Sequence, residues 1–129
     1  MINPLAFLLA PARLRVLFWL LLAFTLVMAF LPHPPHTPFD RFGDKVEHML
    51  AFFTLTFVAD LAWRGAPSWK LVLWMAAIGA GIEIIQAIPL LHRDSDIRDL
   101  IADMAAVLIA LGAARVIEPL ADWLAPEPE

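Results

Sequence analysis

The sequence predicts an all-α membrane protein: a four-transmembrane-helix bundle with a short N-terminal interfacial segment. Three observations lead to this fold class. First, 61% of the 129 residues are hydrophobic and the mean hydropathy is +0.76, whereas soluble domains average about 45–50% apolar residues. Second, four stretches with few or no charges each approach the length of about 20 residues that a helix needs to cross a bilayer. Third, the segments between them are rich in proline, glycine and charged residues, which end helices.

The four spans lie within a single predicted membrane domain. We expect them at residues 14–31, 45–63, 70–91 and 99–117 of a domain that covers residues 1–129. Residues 1–12, which contain Pro4 and Pro11, are too short to cross a bilayer, and we expect them at its interface. Arg13 and Arg15 precede an apolar run as in a signal peptide, but no small-residue cleavage site follows. The first span is therefore expected to stay as an anchor.

The distribution of Lys and Arg predicts the orientation of the bundle, because these residues are enriched at the cytoplasmic ends of spans. Five fall at one end of the predicted spans: Arg13, Arg15, Arg64, Lys70 and Arg115. The other four stand among acidic residues: Arg41, Lys45, Arg93 and Arg98. We therefore expect both termini in the cytoplasm, with the first and third loops outside.

Two features of the composition exclude classes of function. The chain has no cysteine, which excludes disulfides, thiolate chemistry and cysteine-based zinc sites. Its net charge is −4 and it has no basic run, so no nucleic-acid partner is expected.

Ionisable and amide side chains concentrate where the second and fourth spans begin and the third ends. The groups are Asp44, Lys45 and His48; Glu83 and Gln86; and Arg93, Asp96, Asp99 and Asp103. Spans of alternating direction bring these groups to one end of the bundle, and spacings of three and four residues put each set on one helix face. Glu83 precedes the predicted helix end at residue 91 by eight residues, about 12 Å of helix. Because an ionisable residue at that depth is costly, this cluster predicts a functional site.

Small residues predict close helix packing beside this cluster. Four alanines recur every four residues on the fourth span: Ala102, Ala106, Ala110 and Ala114. Ala77 and Gly81 have the same spacing on the third. Such small-xxx-small patterns let helix backbones approach each other closely in membranes.

Three blocks of the sequence resemble the VanZ-like family of small bacterial membrane proteins. They are "DKVEHMLAFFTL" at 44–55, "IEIIQAIPLLHR" at 82–93 and "DSDIRDLIADMAAVLIALGA" at 94–113. The resemblance covers about half of the chain and rests on an Asp-Lys-x-x-His block, a Glu-x-x-Gln block with a downstream Arg, and a closing block containing Asp99 and Asp103. Asp103 stands where many members have Asn, and Ala106 where many have Gly.

The resemblance implies a four-helix protein of the bacterial cytoplasmic (inner) membrane, with a cell-envelope role. For the named members it implies a link to glycopeptide (teicoplanin-type) antibiotic tolerance. It implies no defined reaction, so whether the chain is an enzyme stays open at this point.

Each candidate residue also has a structural interpretation. Ligand-binding candidates are Asp44, Lys45, His48, Glu83, Gln86, Arg93, Asp99 and Asp103, and catalytic candidates among them are His48, Glu83, Asp99 and Asp103. Asp44 could instead be a helix N-cap with Glu47 in the first turn. Glu83 and Gln86 could hold helices together by hydrogen bonds. The other polar residues have structural interpretations. His33 and His36 are expected to be loop residues, and Asp94, Asp96 and Arg98 to form a network of ion pairs in a loop. Asp60 and Arg64 are expected to form an ordinary ion pair.

Three functional classes follow from these candidates. The first is binding of a phospholipid or a lipid-linked cell-wall precursor, with Lys45 and Arg93 on its phosphate. The second is a membrane enzyme that acts on a lipid phosphate through a divalent metal held by the four catalytic candidates. The third is proton or cation transport through the carboxylates. The motifs of known membrane phosphatases are missing, and the acidic residues gather at one end, so the first class is preferred.

Overall fold

The structure, a computed structural model, describes residues 4–31, 38, 43–91 and 97–124, and this part of the chain is helical with connecting turns. A short helix α1 (Pro4–Leu8) precedes four long ones. These are α2 (Pro11–Phe30), α3 (Asp44–Ala62), α4 (Ser68–Gln86) and α5 (Ile97–Leu124), with a 3-10 turn at Pro89–Leu91 between the last two. The expectation of an all-α protein is confirmed.

Three of the long helices could cross a membrane by length and composition, where the sequence predicted four spans. They are α2, α4 and the Ile97–Leu120 part of α5. The helix α3 has 19 residues but includes Asp44, Lys45, Glu47 and Asp60, more charge than such a span ordinarily carries. The structure therefore supports a membrane protein with three candidate spans.

Two predicted helix boundaries were wrong, and proline accounts for one of them. The helix α4 ends at Gln86 rather than at residue 91, because Pro89 has no backbone N–H and its ring blocks a carbonyl one turn earlier. Backbone bonds from Ala87 N to Glu83 O and from Ile88 N to Ile85 O, of 3.1 Å each, close the helix. The helix α5 instead continues past residue 117 to Leu124, through Pro119.

The four long helices pack in the cyclic order α2, α3, α5, α4. The contact between α3 and α5 is the most extensive, α2 packs on α3, α4 packs on α5, and α2 and α4 close the ring. The helix α3 also contacts α4 across the bundle, so it touches each of the other long helices. Phe52, Leu55, Met75 and Val107 fill the buried core.

The outer surface of the bundle is apolar on several sides. Large hydrophobic side chains that are more than half exposed include Trp19, Leu20 and Phe24 on α2, Leu73 and Trp74 on α4, and Leu108, Ile109 and Val116 on α5. Soluble monomers rarely expose apolar surface on this scale. These faces suit lipid tails.

Small residues bring α5 and α4 close to their neighbours, but not all at the predicted positions. Three of the four predicted alanines on α5 are buried, Ala106, Ala110 and Ala114, whereas Ala102 is half-buried. On α4 the close approach is at Gly79, where a Cβ atom would lie 2.9 Å from Leu100 Cδ1. The prediction for α4 was wrong: Ala77 is exposed and Gly81 has open space around it.

Candidate functional site

One end of the bundle brings together five of the candidate residues: His48, Glu83, Gln86, Asp99 and Asp103. We call it the polar end, and it comprises the last turns of α2 and α4 and the first turns of α3 and α5. Two side-chain contacts fix its helices relative to one another: His48 of α3 faces Asp103 of α5, and Gln86 of α4 reaches Ala29 of α2.

The centre of the polar end is the pair formed by His48 and Asp103. His48 Nδ1 lies 3.9 Å from Asp103 Oδ2, and the side chains are 14% and 2% exposed. The separation is longer than a hydrogen bond, so the two groups face each other without being hydrogen-bonded. Asp103 Oδ1 is also buried and has no hydrogen-bond partner in the part of the chain that the structure describes. This oxygen can therefore accept a hydrogen bond that none of the described residues donates.

Two further carboxylates surround Asp103. Glu83 is buried near the end of α4, and Asp99 is half-buried in the first turn of α5. Both lie close enough for their charges to act on Asp103. Because α4 ends at Gln86, Glu83 is three residues from the helix end, about 4.5 Å of helix. The predicted depth of about 12 Å was too large, although Glu83 is still enclosed by protein.

Gln86 has a structural contact that its place in the sequence did not reveal. Its Nε2 donates a 3.0 Å hydrogen bond to the carbonyl oxygen of Ala29, and both residues are buried. The last four carbonyls of a helix have no partner within it. Gln86 therefore caps the C-terminus of α2 and favours the structural interpretation for this residue.

The remaining candidates lie at the rim or outside the described residues. Lys45 is exposed in the first turn of α3. Asp44 opens that helix, but Gly43 holds the N-cap position with φ +89°, so the N-cap interpretation of Asp44 was wrong. The candidates outside the described residues are Arg93, Asp96, His33, His36 and Asp94.

A second polar network lies at the opposite end of the bundle, and sequence reasoning missed its centre. Arg115 Nη2 of α5 lies 3.4 Å from Asp60 Oδ1 of α3 and donates a 2.7 Å hydrogen bond to Ser68 Oγ of α4. Arg115 Nη1 also reaches Glu118 Oε2 at 3.4 Å. Asp60 was expected to pair with Arg64, which does lie within electrostatic range, but its close ion pair is with another helix.

The spacing of polar residues along α3 could have indicated this network from the sequence. His48, Phe52, Thr56 and Asp60 follow one another at intervals of four residues, which places them along one helix face. Phe52, Thr56 and Asp60 are almost completely buried in the structure. Within the described ranges, Thr56 Oγ1 and Asp60 Oδ2 have no hydrogen-bond partner. The buried face of α3 is thus more polar than a purely structural helix requires.

Metal-ligand geometry is missing from the part of the chain that the structure describes. Within it, no three His, Asp or Glu side chains are grouped so that they could hold a metal ion. His48 and Asp103 supply two ligand types, and the carboxylates of Glu83 and Asp99 do not complete a ligand set with them.

No protein-family model matches the chain, and no curated protein or solved structure matches it either. The resemblance to the VanZ-like family therefore rests on the three sequence blocks alone.

Proposed function

We propose that this chain is a VanZ-like protein with four membrane spans that binds a phosphate-bearing lipid, or a lipid-linked cell-envelope intermediate, at its polar end. The observation that carries this proposal is the pair formed by the buried Asp103 and the partly buried His48, with Glu83 and Asp99 beside it. Ionisable groups enclosed within a membrane bundle are costly and are kept mainly where they bind or move something.

The polar end offers complementary features to a lipid headgroup. Lys45 is an exposed cation one turn from His48, and Arg93 follows α4 in the sequence. The N-termini of α3 and α5 both point toward this end, and the N-cap residue of α3, Gly43, has no side chain that could cap the first N–H groups. The backbone N–H groups and the positive dipole end at a helix N-terminus favour an anion such as phosphate. The carboxylates and His48 would then orient the rest of the headgroup.

The role of α3 as a fourth span is supported by where its polar residues lie. This helix contacts all three apolar helices, and Asp60 and Thr56 face the bundle interior. A helix whose charges are shielded by its neighbours can cross a bilayer at lower cost than its composition implies. We propose an inner-membrane protein with the polar end outside, because Arg13, Arg15, Lys70 and Arg115 lie at the opposite end.

Native mass spectrometry of the purified protein tests lipid binding. Phosphatidylglycerol and diacylglycerol with identical acyl chains would be offered in equal amounts to the detergent-solubilised protein. We expect the phosphate-bearing lipid to be retained preferentially and Lys45→Gln to weaken that retention. Lys70→Gln, which removes a cation at the opposite end, is the matched control and should retain it. Equal retention of diacylglycerol and phosphatidylglycerol would rule out a phosphate-binding site.

The family resemblance adds a physiological test. If the chain contributes to glycopeptide tolerance, deletion of its gene should lower the teicoplanin concentration that inhibits growth, and His48→Ala should fail to restore it. An unchanged inhibitory concentration after deletion would separate lipid binding from antibiotic tolerance.

A further inference from the structure

We propose that the polar end selects lipid headgroups that carry a primary ammonium as well as a phosphate, with Asp103 accepting the N–H groups of the ammonium. This inference rests on the proposed function, because it names the class of headgroup that the same site would take. It follows from the charge of the site, from the unused acceptor on Asp103 and from the distance between the rim and the interior.

The interior of the polar end is acidic. Asp103 and Glu83 are buried and Asp99 is half-buried, and His48 is the basic side chain that lies beside Asp103 among the described residues. Lys45 lies outside this group, exposed at the rim. A phosphate would be repelled by the inner carboxylates and attracted to the rim, whereas a cation would be attracted inward. A headgroup that carries both charges could place its phosphate at the rim and its cation in the interior.

Asp103 provides the specific acceptor. Its Oδ1 is buried and has no hydrogen-bond partner among the described residues, and its Oδ2 is 3.9 Å from His48 Nδ1, beyond hydrogen-bond distance. Buried polar atoms in native proteins nearly always have a partner. A primary ammonium supplies three N–H donors and a positive charge, so it can satisfy Asp103 while offsetting the repulsion from Glu83 and Asp99.

The geometry suits one compact headgroup. Lys45 and His48 are three residues apart on α3. Their backbone positions are therefore about 4.5 Å apart along the helix axis. A short linker between phosphate and amine spans such a distance. A quaternary ammonium has the charge but no N–H donor, and should bind less well than the primary amine.

A competition experiment on the unmodified protein tests the inference without any substitution. Phosphatidylethanolamine, its N-methyl and N,N-dimethyl forms, phosphatidylcholine and phosphatidylglycerol, all with the same acyl chains, would be mixed with diacylglycerol and the bound lipids measured by native mass spectrometry. We expect retention to fall stepwise as N–H groups are replaced by methyl groups. Phosphatidylethanolamine should exceed phosphatidylcholine and phosphatidylglycerol by at least about tenfold, as for a charge-assisted hydrogen bond in a buried site.

Substitutions test whether the preference for phosphatidylethanolamine depends on Asp103. Asp103→Asn should remove the preference for phosphatidylethanolamine over phosphatidylcholine and keep retention of phosphate-bearing lipids above diacylglycerol. Asp60→Asn, which neutralises the buried carboxylate at the other end of the same helix pair, is the matched control and should keep the preference.

The outcomes separate the inference from the proposed function. Equal retention of all phosphate-bearing lipids above diacylglycerol would overturn the ammonium site and leave the phosphate site standing. Retention of diacylglycerol equal to the phospholipids would overturn both. If Asp103→Asn does not fold, the four amine lipids can still be compared on the unmodified protein. Equal retention of all four would contradict a site that accepts hydrogen bonds from the ammonium N–H groups.

Discussion

Asp60 of α3 and Arg115 of α5 form an ion pair of 3.4 Å at the opposite end of the helix pair that carries His48 and Asp103. The same two helices are therefore joined by charged side chains near both ends. His48 and Asp60 are twelve residues apart, about 18 Å along α3. Between them the contact is mainly apolar, with Phe52 and Val107 completely buried. Each end should thus respond to substitution independently of the other.

Loss of the Arg115 guanidinium should destabilise the bundle. The side chain of Asp60 is 2% exposed, and Arg115, although 44% exposed, is its close cation. We expect Arg115→Met to lower the free energy of unfolding by about 1–3 kcal/mol, because a buried carboxylate then lacks its partner. Unfolding by sodium dodecyl sulfate from a mild detergent would measure it.

Two further variants control this measurement. Lys70→Met removes a cation that lies over the Trp69 ring at the same end, and should cost less than about 1 kcal/mol. The double variant Asp60→Leu/Arg115→Met should be more stable than Arg115→Met alone, since it leaves no buried charge. A double variant that is less stable than the single one would show that the charge of Asp60 is not the cause.

The glycine at position 79 should be needed for the packing of α4. Gly79→Val would place side-chain atoms where Leu100 Cδ1 and Phe52 Cζ lie 2.9 and 3.4 Å from a Cβ atom. We expect a loss of about 1–3 kcal/mol from overpacking. Gly79→Ala should cost less, because the terminal methyl of Leu100 can move aside.

Gly81 provides the matched control for Gly79, since a Cβ atom there meets nothing within 4 Å. Gly81→Ala should leave the free energy of unfolding unchanged or raise it, because alanine favours helix more than glycine does. Equal destabilisation by the alanine substitutions at both glycines would contradict the close contact at Gly79.

The cap that Gln86 provides for α2 should be measurable by removing its amide. Gln86→Met keeps the length of the side chain but cannot donate the 3.0 Å bond to the Ala29 carbonyl. We expect a loss of about 0.6–2 kcal/mol, as for other hydrogen bonds between membrane helices. Thr54→Val is a suitable comparison, because its hydroxyl bonds to Leu50 within α3 and joins no two helices. A smaller loss for Gln86→Met than for Thr54→Val would argue against the cap.

The orientation of the bundle can be tested by cysteine labelling, which is straightforward in a chain without cysteine. Leu90 is 82% exposed near the polar end, and Gly65 has open space at the opposite end. In spheroplasts, Leu90→Cys should react with a membrane-impermeant thiol reagent, whereas Gly65→Cys should react only after lysis. The reverse pattern would place the polar end in the cytoplasm.

Sequence reasoning predicted the helices and the polar end, because long apolar runs and alternating direction determine both. It did not identify which small residues of α4 pack, since the middle of that helix, residues 71–82, is apolar throughout and does not mark a buried face. Gly79 and Gly81 differ in their surroundings but not in their sequence context. The partner of Asp60 was missed for a related reason: Arg64 is near in sequence, whereas Arg115 is brought near only by the pairing of α3 with α5.

The position of α3 has a consequence for how the chain enters the membrane. Among the long helices that the structure describes, α3 is the one outside the candidate spans; it carries four charged residues and contacts the other three helices. Asp103 and Arg115, which accompany its His48 and Asp60, belong to a helix that is synthesised last. A segment with such residues inserts poorly by itself. Its stable insertion should therefore wait for α5, so a nascent chain that stops before residue 97 should leave α3 incompletely integrated in the bilayer.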